Sequence, residues 1–366
     1  MTDTIVSEWR ERIAAAAAAK APLAIRGGGT KEFHGQAITG EVLDTRAYTG
    51  IVDYDPTELV MTARAGTPLD DIDAAMRAAG QMMAFEPPRF DARTPSAATL
   101  GGCVASGLSG PRRPYAGAVR DLVLGVRVLD GRGEDLTFGG RVMKNVAGFD
   151  VARLMTGAMG TLGVLLDISF KCLPVPKAEA TRVFECTAAE AIRWINEWGG
   201  KPLPLSATCW HDGLLSVRLS GAPTAVEAAG TKIGGDALLD PDGGTAFWAG
   251  VRDQTHPHFA AAIASGAPLW RLSVKSTAPM TDLGGGQLIE WGGALRWLVA
   301  QPGADPQPVR AWAAHNGGHA TLFRGGDRGA GVFHPLPEAL AALHRRLKAV
   351  YDPAGILNPG RIYAGL

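Results

Sequence analysis

Cysteine is scarce in this chain. Cys103, Cys172, Cys186 and Cys209 are scattered over 366 residues, and no two form a CxxC pair. Neither an iron–sulfur cluster nor a zinc finger is therefore encoded, and such usage fits a reducing cytosol. Neither sign of charge is in surplus, since 36 Lys+Arg face 36 Asp+Glu. Binding to nucleic acid calls for excess cations, so the balance argues against that class. The basic run His344-Arg345-Arg346-Leu347-Lys348 reads instead as the wet face of a helix. A run of about 18 apolar residues is also missing, so no membrane span is expected. The start, MTDTIVSEWRERIAAAAAAKAPLAI, has no basic n-region and no long apolar core. It reads as an amphipathic helix to about Lys20 and not as a signal peptide. The expected location is cytoplasmic.

Two nucleotide motifs fail as well. In Gly27-Gly28-Gly29-Thr30-Lys31-Glu32 the third glycine of GxGxxG is replaced by Glu32, and no Gly-Lys-Ser/Thr follows at Walker spacing.

Glycine, by contrast, is abundant: 48 residues, well above the usual share of about 7%. The excess clusters in three places. Thr94–Arg113 (TPSAATLGGCVASGLSGPRR) is built almost wholly of small residues, and lets backbone approach a flat or charged group closely. Thr94-Pro95 or Ser96 is positioned to cap a short helix whose N–H groups would face an anion. Upstream lies Gly27–Lys31, whose amides suit a phosphate, with Lys31 adding charge. Downstream lies Gly157–Gly163. Each loop adjoins an apolar, strand-like run, which points to a long ligand with several phosphates or rings.

Strands are expected at Ala21–Arg26, Ile38–Asp44, Ile51–Asp55, Leu59–Arg64, Gln81–Phe85, Asp121–Leu129, Asp135–Phe138 and Gly163–Phe170. A helix follows Thr67-Pro68, with Leu69, Ile72, Ala75, Met76 and Ala79 on one face. Pro174 and Pro176 mark a domain boundary. Beyond it Thr181–Cys186, Ala188–Trp198, Leu205–Trp210, Leu214–Leu219 and Ala222–Lys232 read strand, helix, strand, strand, helix. That order suggests an antiparallel sheet with helices on one face, extended by Leu269–Lys275, Gln287–Trp291, Ala294–Val299 and His319–Arg324. Pro337–Tyr351 reads as an amphipathic helix before a turn-rich tail.

Five phrases in order carry a family resemblance: VLDTRAYTGIVDYDPTELVMTARAGTPL, GLSGPRRPYAGAVRDLVLG, RVMKNVAGFDVARLM, QLIEWGGALRWL and NGGHAT. They resemble the FAD-linked oxidases of the p-cresol methylhydroxylase / vanillyl-alcohol oxidase superfamily, and within it the FAD-binding subunits of bacterial glycolate oxidases. The resemblance implies an α+β fold. A PCMH-type two-subdomain FAD-binding domain (1–175) would precede a cap domain with an antiparallel sheet (176–330), and 331–366 would return to the flavin domain. It implies that Arg26 and Gly27, Gly28, Gly29, Thr30 and Lys31 hold the pyrophosphate. Thr99, Gly101, Gly102, Ser106, Gly107 and Gly110 would line the flavin. Gly160, Thr161, Gly163 and Val164 would lie near the adenosine half, with Asn358 and Arg361 closing the site from the tail.

Family members that tether FAD covalently place a histidine after the first glycines or a cysteine in the second flavin loop. Thr30 stands at the former position and cannot form the bond, so non-covalent FAD is expected. A 2-hydroxy acid substrate calls for a cation and a base. The cation candidates are Arg112, Arg113, Arg271 and Arg296, with Arg113 put forward together with His319 as the base. The companion catalytic subunit of this family carries a cap motif resembling H-x-G-D-G-N-x-H. The comparable AHNGGHAT lacks its Asp-Gly-Asn core, so its metal- and substrate-binding role is not transferred. The implied partners are a second FAD-linked glycolate oxidase subunit and an iron–sulfur subunit. Two alternatives stay open: a structural subunit without chemistry, and a stand-alone D-2-hydroxy-acid dehydrogenase of the D-lactate type.

Overall fold

The computed structural model describes residues 2–91, 97–140 and 149–366. These form two compact units. The first comprises 1–109, 117–175 and 335–366; the second comprises 110–116 and 176–334.

In the first unit, five antiparallel strands run in the order Ile51–Asp55, Val60–Arg64, Val164–Lys171, Val123–Leu129, Asp135–Gly139. The middle strand alternates as a half-covered strand should, with Leu166, Ile168 and Phe170 buried. Leu23–Arg26 and Glu41–Asp44 form a separate parallel pair, to which the tail adds a parallel bridge between Leu23 and Leu357. The helix Thr2–Ala19 covers this pair. Its Val6, Trp9, Ile13 and Ala16 recur at helical spacing and pack on Leu23, Leu43, Val164 and Leu357. The expected strand start at Asp121 is instead a helical turn, Val119–Leu122. The Asp121 carboxylate accepts the Ala118 amide at 2.9 Å and so holds that turn. The Asp130-Gly131 signal gives a longer connection than a two-residue hairpin. Leu129 pairs with Asp135, and Asp130 Oδ1 accepts the amides of Arg132 and Glu134.

In the second unit all eight strands belong to one antiparallel sheet. Their order is Ala237–Leu238, Ala178–Glu185, Leu214–Gly221, Leu205–His211, Gln287–Glu290, Leu295–Val299, Leu269–Ser273, His319–Arg324. One face carries Val217, Leu219, Ile289, Leu272 and Ala320 under the helices Ala188–Gly199, Pro223–Ile233 and Pro306–His315. The expectation of helices on one face alone is corrected here. Pro241–Asp253 and Pro257–Ser265 cover part of the opposite face, where Trp248 Nε1 donates to Thr181 Oγ1 at 2.9 Å and Phe259 meets the Trp297 ring edge-on. Both helices begin at Asp-Pro or His-Pro caps, a start signal readable in the sequence. The same face holds Arg271, paired across strands with Trp297 and Thr321.

Candidate functional site

A cavity of about 460 Å³ opens in the first unit. Three small-residue segments and the tail wall it. Fourteen residues expected to meet the cofactor line it: Arg26, Gly27, Gly28, Gly29, Thr30, Lys31, Thr99, Gly101, Gly102, Ser106, Gly160, Gly163, Asn358 and Arg361. Among the described residues, the amides of Gly27, Gly28, Gly29 and Thr30 donate to no protein group. Four successive unsatisfied N–H groups on a cavity wall form a concave donor set suited to an anion. Arg26 is held by Glu32 at 2.6 Å. Lys31 Nζ lies 3.3 Å from Thr30 Oγ1 and 5.7 Å from the Phe90 ring centroid.

The helix Leu100–Ser106 forms a second wall. Its cap is Thr99, whose Oγ1 accepts the Gly102 amide at 3.3 Å; Thr94–Ser96 lie outside the described residues. The expected anion site, at a helix capped by Thr94 or Ser96, therefore falls outside the described residues. The Leu100, Gly101 and Cys103 amides donate to the carbonyls of Thr67, Ala65 and Thr99, so the first turn of Leu100–Ser106 has no donor to spare. Gly101 is glycine for packing, since a Cβ there would lie 2.9 Å from the Ala65 carbonyl oxygen. A Cβ on Gly28 would lie 1.6 Å from the Ala97 carbonyl oxygen. Gly102 differs: among the described residues its Cβ would meet Thr99 Oγ1 alone, at 3.3 Å. Its missing side chain leaves cavity space rather than room for the protein's own backbone.

The tail closes the cavity wall by hydrogen bonds. Asn358 Oδ1 accepts the Ile25 amide at 2.8 Å, and its Nδ2 donates to the Met159 carbonyl at 2.7 Å. The Arg361 guanidinium donates to the carbonyls of Gln36, Lys31 and Glu32. It therefore braces the first loop instead of presenting a bare charge. Lys348 Nζ reaches Thr161 O, Leu357 O and Asp352 Oδ2 at 2.8, 2.7 and 2.7 Å.

The second unit holds a separate cationic group. The Arg113 and Arg271 guanidiniums lie 4.4 and 4.8 Å from the Trp291 ring centroid. Trp291 Nε1 donates to the Gly110 carbonyl at 3.0 Å. Trp291, Gly292 and Gly293 all have positive φ, at 55°, 65° and 94°. A bulky residue held there stores strain that its surroundings must over-determine. Burial pushes the Arg271 pKa down to about 10, with Glu290 opposing and Arg113 adding to the shift, and it remains a cation at neutral pH. His319 stands on the last strand, paired with Ser273. Desolvation, then the positive Arg271 and His334, hold its pKa below the ordinary histidine value. Arg112 is committed to Glu179 at 2.7 Å. Arg296 donates to the carbonyls of Gly293, Ser276 and Ala278, on the sheet face opposite Arg271.

Residues 5–139 match the model of the FAD binding domain, and 335–362 match that of the C-terminal domain of FAD linked oxidases. Over 356 residues the chain is 48% identical to "Glycolate oxidase subunit GlcE" of Escherichia coli (strain K12), covering 97% of each chain. The chain belongs to the GlcE family of FAD-linked oxidases. It is also 26% identical to a D-lactate dehydrogenase of Archaeoglobus fulgidus, covering 93% of this chain and 86% of that one. A further match is 32% identical to "Glycolate oxidase subunit GlcD" of Bacillus subtilis, over 44% of this chain and 34% of that protein. In fold it is similar to alkyldihydroxyacetonephosphate synthase, with a TM-score of 0.64 at 14% identity, over 96% of this chain and 74% of that one.

Membership makes FAD the cofactor, and the cavity fits it on two observations. The unsatisfied amides of Gly27–Thr30 match the acceptors of a pyrophosphate, and the open side of Gly102 leaves room for a flat group. The four remaining cofactor candidates do not line the cavity. Gly107 is the left-handed end of its helix, at φ 65°, where a Cβ would lie 2.9 Å from Gly157 Cα. Gly110 belongs to the second unit and accepts from Trp291. Thr161 is buried, with its hydroxyl bound to Ala158 O at 2.7 Å. Val164 is fully buried in the core beneath the N-terminal helix. All four stand close in sequence to residues that do line it, such as Ser106, Gly160 and Gly163, and adjacency in sequence does not separate the wall from its support. The stretch 141–148, in the third quoted phrase, lies outside the described residues. Among the described residues no helix is long and apolar enough to cross a membrane. Relatives named as glycolate oxidase subunits point to a multi-subunit complex.

Proposed function

We propose that this chain is the FAD-binding subunit of a complex that oxidises glycolate to glyoxylate in the cytoplasm, passing electrons to an iron–sulfur subunit. The observation that carries the reading is the donor set of Gly27–Thr30 on the cavity wall, taken with the near full-length identity to GlcE. In this reading Gly27–Thr30 bind the pyrophosphate, Gly102 and Ser106 face the flat part of the cofactor, and Asn358 keeps the walls in register. When bound, FAD supplies a two-electron acceptor. The chain's own contribution lies in the cationic group. Arg113 and Arg271, both on Trp291, bind the carboxylate of a 2-hydroxy acid. His319, neutral at pH 7 because its pKa is lowered, takes the hydroxyl proton.

Non-covalent attachment follows from the same residues. Thr30 cannot tether a flavin. Cys103 is buried, and desolvation raises its pKa to about 11, so its thiol is not a nucleophile at neutral pH. Electrons leaving the flavin need a partner, because the scattered cysteines supply no cluster. The test is to purify the chain alone and with co-expressed partner subunits, measuring flavin content and glycolate-driven dye reduction on each. Flavin in both and turnover with partners alone is the expected outcome. Robust turnover by the isolated chain would instead favour a stand-alone dehydrogenase.

A further inference from the structure

Behind the cavity lies an ion pair that the reading above leaves unused. Lys348, near the end of the helix Glu338–Tyr351, is buried although the rest of that helix is not. A buried ammonium survives only with its donors met, and Nζ finds three acceptors: Thr161 O, Leu357 O and Asp352 Oδ2. Asp352 is equally enclosed. Its two carboxylate oxygens accept the Ile356 and Leu357 amides at 3.1 and 2.7 Å.

These contacts converge on the two cavity walls. Leu357 precedes Asn358, the residue that ties strand Leu23–Arg26 to Met159. Thr161 follows Gly160, where a Cβ would lie 2.6 Å from Asn358 Nδ2. The Ile356 carbonyl accepts the Leu23 amide, and the Asn358 amide donates back to Leu23 O. One ammonium therefore binds both the loop and the tail segment, and does so from outside the cavity.

We infer that Lys348 and Asp352 are a positioning pair, clamping the Met159–Thr161 loop and the Leu357–Asn358 tail at the separation FAD requires. Neither residue lines the cavity, so neither touches the cofactor. The inference rests on the cavity being the FAD site. A clamp of this kind acts on pre-organisation: without it the walls move, and binding must order them again.

The test compares Lys348→Met/Asp352→Asn, which leaves no orphan charge, with Ile168→Ala, an interior truncation in the middle of the five-stranded sheet. FAD affinity is read by flavin fluorescence, and amide hydrogen exchange is followed on the apo chain. The double variant should bind FAD at least about tenfold more weakly. Its exchange should rise in 157–161 and 356–361 but not in 164–171. Ile168→Ala should keep its FAD affinity, and Lys348→Arg should recover part of the loss. FAD affinity within twofold of the unmodified chain, or exchange rising evenly through the unit, would overturn the inference. So would failure of the double variant and of Lys348→Arg to fold, which would make the pair a requirement of the fold. An unmodified chain that binds no FAD would refute the functional reading alone, and the exchange pattern would still decide the clamp.

Discussion

Valine at Gly102 separates the ligand's demand for space from the protein's. At most lining glycines the two demands coincide. Gly28→Ala would press a methyl to 1.6 Å from the Ala97 carbonyl oxygen, so that variant should fail through its own backbone. Gly102 is helical, and among the described residues its Cβ would meet Thr99 Oγ1 alone, at 3.3 Å, a contact that a small hydroxyl shift relieves. Exchanging glycine for valine inside a helix gains about a few tenths of a kcal/mol in helix propensity, so Gly102→Val should fold. The branched side chain then occupies cavity space. Overpacking of this kind costs about 1–3 kcal/mol, and each 1.4 kcal/mol is tenfold; FAD binding should weaken by roughly 5- to 150-fold. The assay is the flavin-to-protein absorbance ratio and titration of the apo chain, beside its melting temperature. Gly102→Val that melts normally and keeps a full visible flavin spectrum would refute the placement of the isoalloxazine against this helix.

Three other expectations follow from the same structure. Acid denaturation and centrifugation should leave the yellow colour in the supernatant; flavin in the pellet with a matching mass increase on the chain would point first to Cys103. In the assembled complex, Arg271→Met should lower kcat/KM for glycolate by about 10- to 100-fold, the worth of a charged hydrogen bond, and unchanged kinetics would move substrate binding to a partner subunit. His258 and His256 have pKa values lowered to about 3 and about 4 by burial and by neighbouring histidines, including His211. Unfolding therefore takes up protons once the pH falls below the ordinary histidine value of about 6.5, and stability present above it is lost towards pH 4. At pH 5 buried His258 alone should cost about 2 kcal/mol, so denaturant melts should show His258→Phe flattening the loss between pH 7 and pH 5; an unchanged slope would remove His258 from the account.

Much of the site was legible before any coordinates, because local rules govern it. Small residues beside strand-like runs announce close backbone approach, and that logic picked out Gly27–Lys31 and the stretch Thr94–Arg113, while Gly102 within it came from the family resemblance. Strand-like apolar runs and period-3.6 spacing likewise placed His319–Arg324, Ile51–Asp55 and the helix beginning at Leu69. What the sequence could not determine was which groups are already satisfied. Thr67 and Ala65, some thirty positions away, take the first amides of the Leu100–Ser106 helix, while those of Gly27–Thr30 stay open. Gly107 and Gly102 are indistinguishable as letters. One faces Gly157 and the other faces the cavity, because chain segments distant in sequence meet there. Lys348 read as part of a solvated basic run, and tertiary packing alone carried it inward to bind Thr161 and Leu357. Local sequence sets what each backbone segment can donate; only the fold decides which donors are left over, and a ligand binds to what is left.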